Sequence, residues 1–307
     1  IVLAALFILG VAETFADITT GTLLPMTVES GDLGIANARM MFGFQALNQL
    51  AGPPLGALLF GVGMAVPFVT QAVLVAAAAR LVAGMPVRRS PESSGRGRAR
   101  TQIAEGVQWL WRHGPMRTLT ITIIAFNVTF GAAWAILVLY SLDHLGMGEV
   151  GFGLLTAVSA VGSIVGAFAY GRTERAIGPV GIMRVGLVIE TATHLTLALT
   201  ATPAVALVTL FVFGVHTGMW GTTVHTVRQR QVPLELQGRV GSVYMLGMQG
   251  GLVVGTPIGG LVANRWGLTA PYWFAFAGSA VLLVAIWGRL ASIAGPPAGR
   301  EQTAAVA

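Results

Sequence analysis

Glu13 and Asp17 stand four residues apart in a run from Ile1 to Val28 that holds no other charge. As helix, Glu13 lies about 22 Å before Val28, close to the middle of a bilayer whose hydrocarbon core is about 30 Å thick. An ionisable group at that depth is costly and demands a reason. A carboxylate whose desolvation favours the protonated form can load and unload a proton there, and so can an imidazole such as His216 in a second apolar run. Glu13, Asp17 and His216 are therefore the candidates for proton coupling or substrate contact. The alternative for the two acids is a structural ion pair with an arginine. Glu190 and His194, also four apart, form a second pair and face each other by helical spacing. Enzyme chemistry has no footing: there is no Cys, no phosphate-binding glycine loop and no nucleophile elbow, and the five histidines are scattered. No catalytic residue, cofactor or metal is expected.

The elements that position these residues follow from composition. Hydrophobic residues make up 54% of the 307, charged residues only 10%, and 41 are glycine. A soluble chain of this size needs more charge to cover its surface. Nine stretches are apolar over the roughly 20 residues that cross a bilayer as helix: Ile1 to Val28, Ala36 to Phe60, Met64 to Gly84, Arg117 to Tyr140, Val150 to Gly171, Val180 to Thr200, Pro203 to Thr226, Arg239 to Ala263 and Leu268 to Leu290. Helix is required because hydrocarbon offers backbone amides no partner, and the runs lack the alternation of barrel strands.

Residues 85–100 are polar and arginine-rich, a linker in character. Behind them Ile103, Val107, Leu110 and Trp111 recur at helical spacing, predicting a short amphipathic helix that lies either on the membrane surface or against the ends of the bundle. All 18 basic residues are arginine, and with the linker in the cytoplasm only Arg265 falls on the other side. That bias explains the net charge of +6 without nucleic acid and places the C-terminus inside. Ile1 falls outside and already inside an apolar run, so the chain reads as a fragment missing an odd number of helices.

An internal repeat suggests how many. Gly52-Pro53-Pro54-Leu55-Gly56-Ala57-Leu58 matches Gly255-Thr256-Pro257-Ile258-Gly259-Gly260-Leu261 at an offset of 203. The offset pairs the first three stretches with the last three, leaves the middle three unmatched, and predicts three helices upstream. It also pairs Glu13 with His216 and Asp17 with Trp220. The parent would be two parallel six-helix halves related by an axis along the membrane normal. Within this chain, residues 1–84 would be the second part of the first half, 85–116 the linker with its surface helix, 117–290 the whole second half and 291–307 a cytoplasmic tail.

Two six-helix halves, a basic central loop and this glycine-proline motif resemble the major facilitator superfamily. Gly10-Val11-Ala12-Glu13-Thr14-Phe15-Ala16-Asp17, Leu24-Pro25, Ala36-Asn37-Ala38-Arg39 and the Ile103 to Arg112 stretch are similar to its bacterial drug- and siderophore-efflux branch. The resemblance implies an all-α membrane fold, family helices four to twelve, and a central cavity lined by the helices that carry Glu13 and His216. Gln45, Asn48, Asn127, Trp134 and Trp220 would line that cavity, where aromatic walls suit flat, apolar or cationic ligands. Gly52, Pro53 and Gly56 match the core of an antiporter signature, although Arg39 and Asn48 stand where upstream glycines are usual; close packing between the halves is the other reading. Arg172, Glu174 and Arg175, in a loop over Gly171 to Gly178, resemble a degenerate form of the family's gating loop, or act as positive-inside anchors.

These features lead to a monomeric, multi-pass protein of the bacterial inner membrane, whose partners are lipid, protons and a small-molecule substrate, with no nucleic acid. Proton-driven efflux of drugs or siderophores by alternating access is the leading expectation. A facilitator-type importer, or a scaffold or receptor that transports nothing, are the alternatives.

Overall fold

The computed structural model describes residues 16, 19–84 and 99–293, without the side chains of 49, 50, 53, 54, 57, 60, 99, 100 and 149. Every regular element among them is helical. Helix α1 covers 19–27 and α2 covers Leu33–Gly43. A π-helical segment, Phe44–Ala51, carries α2 straight into α3, Gly52–Val62. The widened turn falls immediately before Gly52-Pro53-Pro54, where two consecutive residues lack the amide that would bond back four residues. Helix α4 is Val66–Ala83, α5 is Ala99–Arg112 and α6 is Gly114–Trp134. A short α7, Leu137–Leu139, and a π turn, Tyr140–His144, lead into α8, Gly148–Leu199. Helices α9, Pro203–Gln231, α10, Gln237–Trp266, α11, Ala270–Ile286, and α12, Leu290–Ile293, complete the chain.

Five helices among the described residues are long and apolar enough to cross a membrane, and α11 is a shorter apolar helix. The nine expected stretches distribute differently over these elements. Only the end of Ile1 to Val28 is described, Ala36 to Phe60 is divided by the π segment, and two expected spans fall within α8. At 52 residues α8 would be about 78 Å long if straight, more than twice a bilayer core. It is broken at Gly178, whose φ of 67° lies in the left-handed region, and Pro179 follows. Its arms are called α8a (148–177) and α8b (179–199). The expected loop from Gly171 to Gly178 is thus corrected: helix continues to residue 177 and a single glycine makes the reversal, because Gly-Pro suffices to interrupt the amide ladder.

Helices α8 and α9 pack together most extensively, followed by α6 with α10, and α11 lies against both α6 and α8. Small residues permit both main contacts. A Cβ on Gly162 or Gly166 would strike the backbone of Phe211 or Val215, and one on Gly214 or Gly218 that of Ser159 or Ser163. Gly251, Gly255 and Gly259 stand in the same way against the carbonyls of Ile124, Val128 and Ala132. Close backbone approach of this kind is how helices associate where lipid removes the hydrophobic drive between them. The exterior is correspondingly apolar, with Leu58, Val62, Met64, Phe68 and Leu81 each more than two-thirds exposed. Helix α5 combines both expected placements. Gly106 abuts the Arg239 backbone, Arg239 meets Glu105 at 2.6 Å and Leu110 is buried, while Ile103, Val107 and Trp111 form an exposed apolar stripe.

Candidate functional site

A cleft of about 760 Å³ opens between α6, α8a and α9, with Gln45 of the π segment on its remaining side. Helix α6 contributes Phe126, Asn127, Phe130 and Trp134, so that aromatic rings recur every fourth residue along one face. Phe130 stacks on Trp134 at 5.0 Å and on Phe213 of α9 at 6.0 Å, making one continuous apolar wall. The facing arm, α8a, presents Gly153, Thr156, Ala157, Ser159, Ala160 and Ser163, a narrow hydroxyl-bearing stripe, and α9 adds Thr217. Most of the polar groups are satisfied within their own helices. Thr156 donates to the carbonyls of Phe152 and Gly153, Thr217 to that of Gly214, and the Asn127 amide to that of Ile123. Ser163 Oγ has no partner and is buried beside Gly218. Among the described residues no Asp, Glu, His, Lys or Arg lines the cleft.

The opposite, arginine-rich end is held shut across the two parts of the chain. Asn37 of α2 is buried, and its amide donates to Leu33 O, to Thr226 Oγ1 at 3.1 Å and to Gln229 Oε1 at 2.6 Å, the last two on α9. Gln229 Nε2 donates to Gly21 O at 3.3 Å, Arg230 Nε to Ser30 O at 3.2 Å, and Arg230 Nη1 lies 3.6 Å from Glu174 Oε1. Close to this end Arg228 is buried, with its guanidinium 5.4 Å from the Tyr244 ring.

Gln45, Asn127 and Trp134 line the cleft as expected from the sequence. Asn48 and Trp220 do not. Asn48 is exposed, because the π turn rotates it away from Gln45. Trp220 is 4% exposed, stacked on Phe126 at 6.1 Å and edge-on to His216 at 5.6 Å, inside the core. His216 is also buried, and its Nε2 lies 3.7 Å from Glu190 Oε2. Glu13 and Asp17 lie outside the described residues. Gly52 and Gly56 are half-buried with no close packing partner on another helix, in contrast to Gly255 and Gly259 in the second copy of the motif; the Pro53 side chain lies outside the description. Glu174 joins the clamp, whereas Arg172 is exposed and Arg175 bonds back to Gly171 O. Tyr140 is a bolt rather than a cavity residue, its hydroxyl donating to Leu197 O at 2.7 Å.

Sequence reasoning overlooked Phe126, Phe130, Phe213 and the Thr156, Ser159, Ser163 stripe, although the four-residue recurrence of aromatics on α6 and the three- and four-residue recurrence of hydroxyls on α8a were both available. It also missed the contact from Glu190 to His216, which joins different helices and leaves no local signal. Among the described residues no group of three His, Cys, Asp or Glu is placed to hold a metal.

A sequence model of the Major Facilitator Superfamily matches residues 1–253 and, in a second overlapping match, 143–306. Among solved structures, a bacterial homologue of the iron transporter ferroportin in an outward-facing state superposes with a TM-score of 0.67 at 18% identity, covering 90% of this chain and 69% of that one. The same kind of homologue, outward-facing with soaked iron, gives 0.66 at 18% identity, covering 90% and 68%. No curated protein matches the chain.

Proposed function

Because the chain belongs to the Major Facilitator Superfamily, we propose that it works as a proton-coupled exporter of small apolar or amphipathic molecules, of the drug or siderophore class. It is an all-helical, multi-pass membrane transporter and not an enzyme. The observation that carries the finer reading is the cleft: its volume of about 760 Å³ suits a drug-sized ligand, and its described residues give it an aromatic wall and a hydroxyl stripe without a charged side chain. Such a surface rewards burial of apolar area and rings and asks for few hydrogen bonds. A sugar, an organic acid or a peptide demands fixed polar partners that this lining lacks. A metal-ion cargo, as named for the matched ferroportin homologue, finds no carboxylate, imidazole or thiolate among the described residues of the cleft.

The cleft lies at the end of the helices away from the Asn37, Glu174 and Arg230 clamp. With the arginine-rich end in the cytoplasm of a bacterial inner membrane, this arrangement is the state that releases substrate outward. Breaking the clamp and closing the cleft would present the same walls to the cytoplasm. Protons bias that exchange by binding one state more tightly than the other. Glu13, Asp17 and His216 remain the groups assigned to that role, residues 1–84 and 117–290 the two moving parts, and 85–116 their linker.

The test is export of ethidium, an amphipathic cationic dye, from loaded cells expressing the protein. Export is expected to stop with an uncoupler, and Trp134→Ala is expected to raise the half-saturating dye concentration severalfold at unchanged protein level. Export that persists without a proton gradient would remove the coupling claim, and an unaltered concentration dependence in Trp134→Ala would remove the cleft as the binding site.

A further inference from the structure

Between two apolar clusters of the bundle lies a polar layer that the cleft does not contain. Leu187 and Trp220 belong to one cluster, Leu197 and Phe213 to the other, and Glu190, His194 and His216 sit between them. Glu190 Oε1 meets His194 Nε2 at 2.9 Å, one turn along α8b, and Glu190 Oε2 lies 3.7 Å from His216 Nε2 on α9. Each of the three is at most 3% exposed. Gly186 makes room for the His216 ring, since a Cβ there would come within 2.6 Å of Nδ1.

We propose that Glu190, His194 and His216 form an enclosed proton-binding site of the C-terminal bundle. The site deepens the exporter reading, and rests on it only for the use to which the proton is put.

Two observations converge. First, Glu190 Oε2, His194 Nδ1 and His216 Nε2 have no hydrogen-bond partner among the described residues, whereas buried polar atoms are ordinarily satisfied. A purely structural pair would not leave three adjacent valences open. Second, no arginine among the described residues neutralises Glu190. Arg184 lies over Trp287 at 5.2 Å, Arg228 over Tyr244, and Arg230 against Glu174. Helix α11 offers only Tyr272 and α6 only Arg117 at its far end, while His225 of α9 lies nine residues beyond His216. On α8a, Tyr170, Arg172, Glu174 and Arg175 stand at the clamp end, and His144, before α8, bonds Thr200 O. A buried carboxylate is tolerated only when paired, so the cluster must carry one added proton, shared between carboxylate and imidazole.

Within the cluster, His194 Nε2 gives its proton to Glu190 Oε1, and a small approach of His216 to Oε2 shares it onward. Release retraces the path. A divalent cation is the poorer occupant, as the residues are not spaced as a metal site.

Infrared spectroscopy of the purified chain in lipid nanodiscs, titrated from pH 4 to 9, tests this directly. The wild type is expected to show a protonated-carboxyl band that vanishes with rising pH and is missing from Glu190→Gln. His194→Gln and His216→Gln are each expected to raise its midpoint by one pH unit or more, since a lost imidazole leaves the proton on the acid. The absence of a Glu190-dependent band, or a midpoint indifferent to both histidines, would overturn the site. If Glu190→Gln does not fold, the two histidine variants decide alone. The spectra use neither dye nor gradient, so a failed export assay leaves the site standing and a silent spectrum leaves the exporter with other coupling groups.

Discussion

Replacing Asn37 by alanine removes the best-buried link across the arginine-rich end. Two hydrogen bonds to α9 are lost, to Thr226 Oγ1 at 3.1 Å and to Gln229 Oε1 at 2.6 Å. Hydrogen bonds between membrane helices average about 0.6 kcal/mol and reach about 1.7 kcal/mol. With Arg230 to Ser30 O and Gln229 to Gly21 O still in place, the clamp weakens by about 1 to 2 kcal/mol, or about 5- to 30-fold in the population of the opened state. Because the chain has no Cys, a single one can report the opening. Leu33, one turn before Asn37 on the same helix face and 2% exposed, is replaced by Cys and its maleimide labelling rate measured in nanodiscs. Adding Asn37→Ala should speed labelling by that factor, while Thr256→Ala, on an exposed face of α10, should not. A rate unchanged within twofold would show that Asn37 does not hold the two parts together.

Two further outcomes are expected. Gly259→Val drives a side chain into the Ala132 backbone and should cost about 1 to 3 kcal/mol or more, read as a lower melting temperature in detergent, whereas Gly56→Val, with nothing within 4 Å of its Cβ position, should barely move it; equal effects would refute the asymmetry between the motif copies. His113 precedes α6, its Nδ1 accepting from the Met116 amide at 3.4 Å, and burial lowers its pKa from the ordinary 6.5. The neutral ring is therefore favoured by folding, its contribution present above pH 6.5 and lost as pH falls through the lowered folded value, so a melting-temperature difference from His113→Asn that does not narrow on acidification would be inconsistent with this cap.

The sequence by itself determined the class of protein and its helical character, because these are local or additive quantities. A run of apolar residues must be helical in lipid wherever it lies, and Gly178-Pro179 interrupts a helix whatever surrounds it. Gln45, Asn127 and Trp134 were legible as polar or aromatic residues in apolar helices. Tertiary structure alone decided which of these face a common space. A π turn moved Asn48 out of the cleft, and the pairing of Gly162 and Gly166 with α9 set the depth at which His216 and Trp220 are buried. Glu190 and His194 read from sequence as a local pair; only the approach of α9 to α8 added His216 and left their open valences facing one another. The reason is range: helix periodicity acts over four residues, whereas the positions of cleft, clamp and buried cluster depend on backbone contacts between helices distant in the chain.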